Sequence, residues 1–162
     1  MTLKVGDRLP DAKFKIMTAD GPAELTTGEL TGGKTVVLFG VPGAFTPTCH
    51  NNHLPGFVEH AETLKSRGID EIAVVSVNDV FVMDAWKQAT TPSGNITFLA
   101  DTAAEFVQSA GLGMGPVPIF GHVRSQRFAL IVKDGVVTFQ AVEEPGGGTA
   151  KTGAAAILEA LG

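Results

Sequence analysis

Apolar stretches and amphipathic segments alternate along most of this chain. Four short stretches rich in β-branched and aromatic residues are typical of buried strands, and they lie at 35–41, 72–77, 96–99 and 127–132. Apolar residues at helical spacing predict helices at 48–65, 79–88 and 102–110, with Asp79 as an N-cap. After a Lys133-Asp134-Gly135 turn, the pattern predicts a last strand at 136–142, and then a helix that Thr152 caps and that reaches residue 161.

Strands that alternate with helices predict an α/β fold with a central mixed sheet. Residues 11–34 form an N-terminal extension beside this core, in which Thr26 or Thr27 caps a short helical turn. Pro55 predicts a kink within the first long helix, and the glycine-rich segments 111–115 and 146–148 are interpreted as loops. Because no repeat or linker interrupts the pattern, residues 1–162 are expected to form a single domain. The order of its elements resembles the thioredoxin fold.

Composition narrows the classes of function. Of the 162 residues, 44% are hydrophobic and 18% are charged, which is enough for a substantial core. A net charge of −5 with scattered basic residues makes nucleic acid and anionic membrane poor partners. Early charges at Lys4, Asp7 and Arg8 do not fit a signal peptide, and no apolar run approaches the roughly 18 residues of a membrane span. One cysteine cannot form an intrachain disulfide, so we expect a cytoplasmic protein.

That cysteine, Cys49, lies where a predicted strand turns into a predicted helix. Thr46 is a good N-cap and Pro47 a good first helical residue, so the sulfur lies near free backbone N–H groups and the Thr46 hydroxyl. Such surroundings favour the thiolate, which is the nucleophilic form. Thr46 occupies the first cysteine position of a C-x-x-C motif, which excludes an internal dithiol reaction. Attack on an O–O bond remains, with Thr46 as a hydrogen-bond donor and Pro42 as a wall against water.

Four ordered blocks of sequence resemble the atypical type-5 (type-II) peroxiredoxins over essentially the full chain. They are residues 36–49, which end at Cys49, the His-Leu-Pro-Gly-Phe segment at 53–57, the Ser-Val-Asn-Asp segment at 76–79, and the Ile-Phe-Gly segment at 119–121 followed by Arg127-Phe128. The resemblance implies a thioredoxin-like fold and reduction of hydrogen peroxide and alkyl hydroperoxides by Cys49. It also implies an active-site arginine, which matches Arg127; Arg124 is the competing candidate.

Many members of that family keep a second, resolving cysteine, and Lys151 stands about where some of them have it. The chain is therefore interpreted as a single-cysteine variant. After attack on peroxide, a Cys49 sulfenic acid must be reduced by an external thiol. The resemblance favours glutathione with glutaredoxin, and thioredoxin is the alternative. No cofactor is expected.

The family also implies a homodimer. Large apolar residues at the expected mouth of the active site are candidates for its interface, because such residues are unusual on a monomer surface. The candidates are Phe45, Phe81, Leu112 and Phe120.

Two other functions remain open at this point. In the first, the protein is a peroxide sensor whose Cys49 oxidises and is recognised by a partner. In the second, Cys49, His50 and His53 hold a metal ion, although a structural zinc site usually needs four ligands. The metal reading is disfavoured, and His53 is expected either to pack behind the helix or to support the hydrogen bonds of the sulfur.

Overall fold

The computed structural model describes residues 2–91 and 94–162. Its centre is a mixed seven-stranded sheet with the order β2-β1-β5-β4-β3-β8-β9. These strands are β1 Lys13–Thr18, β2 Gly21–Thr26, β3 Thr35–Gly40, β4 Glu71–Ser76, β5 Thr97–Ala100, β8 Phe128–Lys133 and β9 Val136–Val142. The pairs β3–β4 and β4–β5 are parallel, whereas β8 runs antiparallel to β3. The predicted mixed sheet is therefore confirmed.

Helices cover both faces of this sheet. They are α1 Thr27–Thr31, α2 Leu54–Ser66, α3 Val80–Thr90, α4 Glu105–Ser109 and α5 Ala154–Leu161. Alternate residues of β3 point to opposite faces, because the side-chain period of a strand is two. Val37 and Phe39 join a core formed with α2, α3 and α5, and Val36 and Leu38 join a second core formed with α1 and α4. Asp79 caps α3, as predicted, and Thr26 is the one of the two candidate residues that caps α1.

The predicted helix at 48–65 is present and runs without a break over 47–66. It contains a π-helical turn, Cys49–His53, in which the N–H of Leu54 donates to the carbonyl of Cys49, and α2 continues directly from this turn. Pro55 therefore lies within a long helix, as predicted, just after the π-helical turn. Such a turn interrupts the regular hydrogen-bond ladder, so a residue without an N–H is accommodated there.

One predicted helix is shorter than expected, and two other predictions were wrong. The helix at 102–110 is reduced to α4, whose first turn is capped by the carboxylate of Asp101. The cap of α5 is Gly153 and not Thr152. The glycine-rich loop at 111–115 contains the start of a strand, β6 Gly113–Val117, which pairs with β7 His122–Ser125 in a separate ribbon. No helix within the described ranges is long and apolar enough to cross a membrane.

Gly40 gives a test of the packing between β3 and β8. A Cβ atom at this position would overlap the ring of Phe128, which is fully buried. Gly40→Ala should therefore lower the free energy of unfolding by about 1–3 kcal/mol, as overpacking does. Gly56→Ala is the matched control, because it adds the same methyl group in α2 where nothing lies within 4 Å. It should raise stability by about 0.5–1 kcal/mol. Urea unfolding measures both, and equal effects of the two changes would contradict this packing.

Candidate active site

Cys49 is placed by a helical turn that begins directly after Thr46. Pro47 is the first helical residue, and the carbonyl of Thr46 accepts a hydrogen bond from the N–H of His50 at 2.8 Å. Cys49 then opens the turn Cys49–His53, with its side chain only 1% exposed. The cysteine thus lies in the first turn of a helix, where unpaired N–H groups favour negative charge.

A polar anchor from the end of β4 holds the loop before this turn. The Oδ1 atom of Asn78 accepts hydrogen bonds from the N–H of Ala44 at 3.1 Å and from the hydroxyl of Ser76 at 2.6 Å. Because one oxygen accepts from both the loop and the strand, the loop keeps a fixed position relative to the sheet.

Arg127 contacts the sulfur directly. Its Nη2 atom lies 3.2 Å from the Sγ atom of Cys49, and its Nη1 atom lies 3.0 Å from the Nδ1 atom of His53. Arg127 immediately precedes β8 and is only 9% exposed. The guanidinium group therefore bridges the sulfur and the imidazole, and all three groups are largely buried.

This buried cation has no carboxylate partner in the described parts of the chain. The only ion pair found there joins Lys15 and Glu24 on the surface, far from Arg127 in the sheet order. Buried charges in proteins are normally paired with opposite charge. The group in contact with Arg127 that can carry negative charge is the Cys49 sulfur.

The hydrogen bonds of His53 define its protonation state. A guanidinium only donates, so Nδ1 must accept from Arg127, and Nε2 carries the proton that is donated to the carbonyl of Thr152 at 2.9 Å. Burial lowers the pKa of His53 to about 4; the bond to Thr152 opposes this shift, and the charge of Arg127 adds to it. His53 is therefore neutral at pH 7.

A cavity of about 460 Å³ opens beside the sulfur. Pro42, Thr46 and Arg127 line it, whereas Cys49 lies behind this lining. Much of the remaining wall is apolar and includes Met114, Val117 and Phe120. Three of the four predicted site residues thus surround one cavity, and the fourth contacts one of them.

The hydroxyl of Thr46 is directed differently from the sequence-based expectation. It donates to the carbonyl of Gly43 at 2.7 Å. A hydroxyl has one proton, so in this arrangement it does not donate to the sulfur. Its oxygen retains lone pairs that can accept a hydrogen bond from a molecule in the cavity.

Arg124, the competing arginine, takes another position. Its guanidinium carbon lies 4.7 Å from the centroid of the Phe120 ring, and burial lowers the pKa of Arg124. Of the two candidate arginines, Arg127 is the one that contacts Cys49.

The imidazoles that suggested a metal site are engaged in other contacts. The Nδ1 atom of His50 accepts from the Nε1–H of Trp86 at 3.0 Å, and both nitrogens of His53 have partners. Within the described residues, no group of three histidine, cysteine or acidic side chains is arranged to hold a metal ion.

Two residues of this environment were missed by the sequence analysis. Thr152 lies behind His53 and donates to the Glu143 carboxylate, and Glu143 also lines the cavity. Neither belongs to a local motif, so only spatial proximity reveals them. Asn78 lies within the Ser-Val-Asn-Asp block, and that block was the available signal for it.

The chain is similar in sequence and structure to several known proteins. The family model described as Redoxin matches residues 4–158. Peroxiredoxin-2C of Oryza sativa subsp. japonica is 44% identical over 158 residues, which cover 97% of each protein. The chloroplastic Peroxiredoxin-2E-2 of the same plant is 46% identical over 165 residues, covering 99% of this chain and 73% of the relative. The crystal structure of reduced Prx3 in complex with H₂O₂ from Vibrio vulnificus is 45% identical with a TM-score of 0.95, covering 99% of this chain and 100% of that one.

The chain therefore belongs to the redoxin family and, within it, to the peroxiredoxins. Peroxiredoxins are peroxidases that use a thiol, and this chain is an enzyme of that class. The thioredoxin-like fold and the peroxiredoxin resemblance predicted from the sequence are both confirmed.

His53 makes stability depend on pH. The folded protein keeps this imidazole neutral down to a pKa of about 4, whereas the unfolded chain takes up a proton below about 6.5. Since the unfolded state binds the extra proton between these values, stability should fall as pH drops from 6.5 toward 4, by at most about 1.4 kcal/mol per unit. Urea unfolding at pH 7 and pH 5 should show a loss that is about 2 kcal/mol smaller in His53→Gln. His60→Gln, a change elsewhere in α2, is the matched control and should keep the pH dependence of the wild type. If His53→Gln also keeps the pH dependence of the wild type, this assignment is contradicted.

Proposed function

We propose that this peroxidase reduces hydrogen peroxide and alkyl hydroperoxides with Cys49 as the attacking thiolate. The observation that carries the proposal is the 3.2 Å contact between Arg127 Nη2 and Cys49 Sγ. It supplies a fixed positive charge at a sulfur beside a cavity of about 460 Å³. The apolar part of the cavity wall suits the organic group of an alkyl hydroperoxide.

In the proposed reaction, the Cys49 sulfur attacks the oxygen of the hydroperoxide that carries hydrogen. An S–O bond forms and the O–O bond breaks, and its electron pair leaves with the second oxygen as an alkoxide, or as hydroxide from hydrogen peroxide. The leaving oxygen then takes a proton from water. Arg127 stabilises the charge on the sulfur before the attack and the charge on the leaving oxygen as it develops. Cys49 is left as a sulfenic acid.

Thr46 and Pro42 orient the substrate in this proposal. The Thr46 hydroxyl, whose proton is donated to Gly43, accepts a hydrogen bond from the O–H of the hydroperoxide. Pro42 has no N–H and presents an apolar ring to the cavity, which keeps water away from the reacting atoms. Together they hold the O–O bond in line with the sulfur.

An external thiol completes the cycle. The chain has one cysteine, so a second thiol must attack the sulfenic acid, release water and form a mixed disulfide. Another thiol then releases Cys49. We propose glutathione with glutaredoxin as the reductant, and thioredoxin is the alternative.

We further propose that the enzyme is a homodimer. Phe45 is 47% exposed and Phe81 is 66% exposed, and Ile119, which the sequence analysis did not select, is 85% exposed. Such side chains support association because their burial removes apolar surface from water. Leu112 must be removed from the predicted interface, since it is fully buried in the core. A cytoplasmic location remains a prediction, because one relative is chloroplastic.

Substitutions in the cavity should separate the proposed roles. Cys49→Ser should abolish turnover, and Thr46→Val should lower the rate of peroxide reduction about 10- to 1000-fold, whereas Thr46→Ser retains most of it. Arg127→Gln should cost about 100-fold or more, and Arg124→Gln much less. Stopped-flow consumption of peroxide with excess thiol measures these rates. If Arg124→Gln lost most of its activity and Arg127→Gln lost none, the assignment of the active-site arginine would be contradicted. If the wild type consumed only one equivalent of peroxide, the result would favour the peroxide sensor.

The single thiol also predicts the products of oxidation. One equivalent of hydrogen peroxide followed by glutathione should give a chain that is heavier by one glutathione in intact-mass spectrometry. Excess peroxide without thiol should give sulfinic and sulfonic acids and irreversible loss of activity. An oxidised protein that is wholly a disulfide-linked dimer, reduced by thioredoxin alone, would rule out the external-thiol mechanism.

A further inference from the structure

A buried carboxylate lies two bonds behind the active-site imidazole. Glu143 follows β9 and is 8% exposed. One of its oxygens, Oε2, accepts three hydrogen bonds: from the N–H of Lys151 at 2.8 Å, and from the N–H and the hydroxyl of Thr152, both at 2.9 Å. Bonds to an ionised acceptor are about twice as strong as bonds between neutral groups. Glu143 therefore fixes the turn that leads into α5.

This turn provides the acceptor for His53. The carbonyl of Thr152, which is fully buried, accepts the Nε2 proton of His53 at 2.9 Å. The backbone N–H of Glu143 also donates to the carbonyl of Arg127 at 2.9 Å. Glu143 thus holds the main chain of Arg127 through its own backbone, and supports the guanidinium end through Thr152 and His53.

The bond to the Thr152 carbonyl holds the His53 ring in the orientation in which Nδ1 faces Arg127. If the Thr152 carbonyl moved away, the buried Nε2–H would lose its acceptor, which is costly. Without that bond the ring can rotate to give the Nε2 proton another acceptor. Rotation takes Nδ1 out of line with Arg127, and the guanidinium then loses the acceptor that holds it beside Cys49.

We infer that Glu143 is a positioning residue of this active site: through the Thr152 turn it fixes the orientation of the His53 ring, and through His53 it keeps Arg127 on the Cys49 sulfur. The inference extends the proposed function, because the rate of peroxide attack depends on that contact. It assigns no contact between Glu143 and the reacting atoms.

Glu143→Gln tests the inference, because the amide keeps the shape and loses the charge. We expect the pH midpoint for alkylation of Cys49 by iodoacetamide to rise by about one unit. The peroxide rate at neutral pH should fall about tenfold. The groups that can titrate or carry charge along this chain of bonds are Cys49, His53, Arg127 and Glu143. Lys151 flanks the chain of bonds, and Glu144 lines the same cavity as Arg127 and Glu143. Glu159→Gln, the same chemical change at an exposed position of α5, should alter neither value.

Nitrogen-15 NMR of the histidine side chains supplies a readout that lost packing alone would not change. The wild type should show His53 as the neutral tautomer protonated at Nε2, identified by the absence of its signals in His53→Gln. Glu143→Gln should keep this tautomer but shift the Nε2 signal, because the bond from Nε2–H to the Thr152 carbonyl is weakened. An unchanged Nε2 signal together with an unchanged alkylation midpoint would overturn the inference.

The hydroxyl of Thr152 gives an independent pair of variants if Glu143→Gln does not fold. Thr152→Val removes one of the three bonds to Glu143 and should shift the alkylation midpoint in the same direction by a smaller amount, whereas Thr152→Ser should behave as the wild type. Equal behaviour of the two variants would overturn the inference. Alkylation and NMR need no peroxide, so a wild-type chain without turnover would contradict the proposed function and leave this test intact.

Discussion

A guanidinium group buried beside a thiol needs negative charge within reach, and this requirement organises the active site. Arg127 is 9% exposed and contacts the sulfur of Cys49 and a neutral imidazole, with no carboxylate paired to it among the described residues. Removing an unpaired cation from water costs far more than any single hydrogen bond returns. A thiolate at Cys49 would supply this charge most directly, and this contact supports the proposal that the Cys49 sulfur attacks the peroxide.

The register of the sheet brings these two groups together. Cys49 follows β3 and Arg127 precedes β8, and the two strands pair with Gly40 opposite Phe128. Residues that are 78 positions apart in the chain therefore meet at one end of adjacent strands. The ring of Phe128 occupies the space where a side chain at position 40 would stand. A slip of one residue would turn every side chain of β8 to the other face and remove Arg127 from the sulfur.

The other residues of the site hold Cys49 and Arg127 in place. Asn78 ties the loop before Cys49 to the sheet, and His53 holds the far side of the guanidinium without adding a second positive charge. A protonated His53 would repel Arg127, and burial opposes this by lowering the pKa of the imidazole to about 4. The carboxylate of Glu143 accepts hydrogen bonds from two backbone N–H groups and a hydroxyl and forms no ion pair with Arg127.

The sequence alone determined the features that depend on near neighbours. The placement of Cys49 in the first turn of a helix, the caps at Asp79 and Thr26, and the apolar strands follow from local backbone chemistry and periodicity. The resemblance then pointed to Arg127, whose contact no local rule could fix. Only the tertiary structure decided that Gly113–Val117 is a strand, that Leu112 is core, and that Thr152 binds Glu143 instead of capping α5. In each of these cases the partner is distant in the chain, and a buried group takes whichever partner the packed fold brings within hydrogen-bond distance.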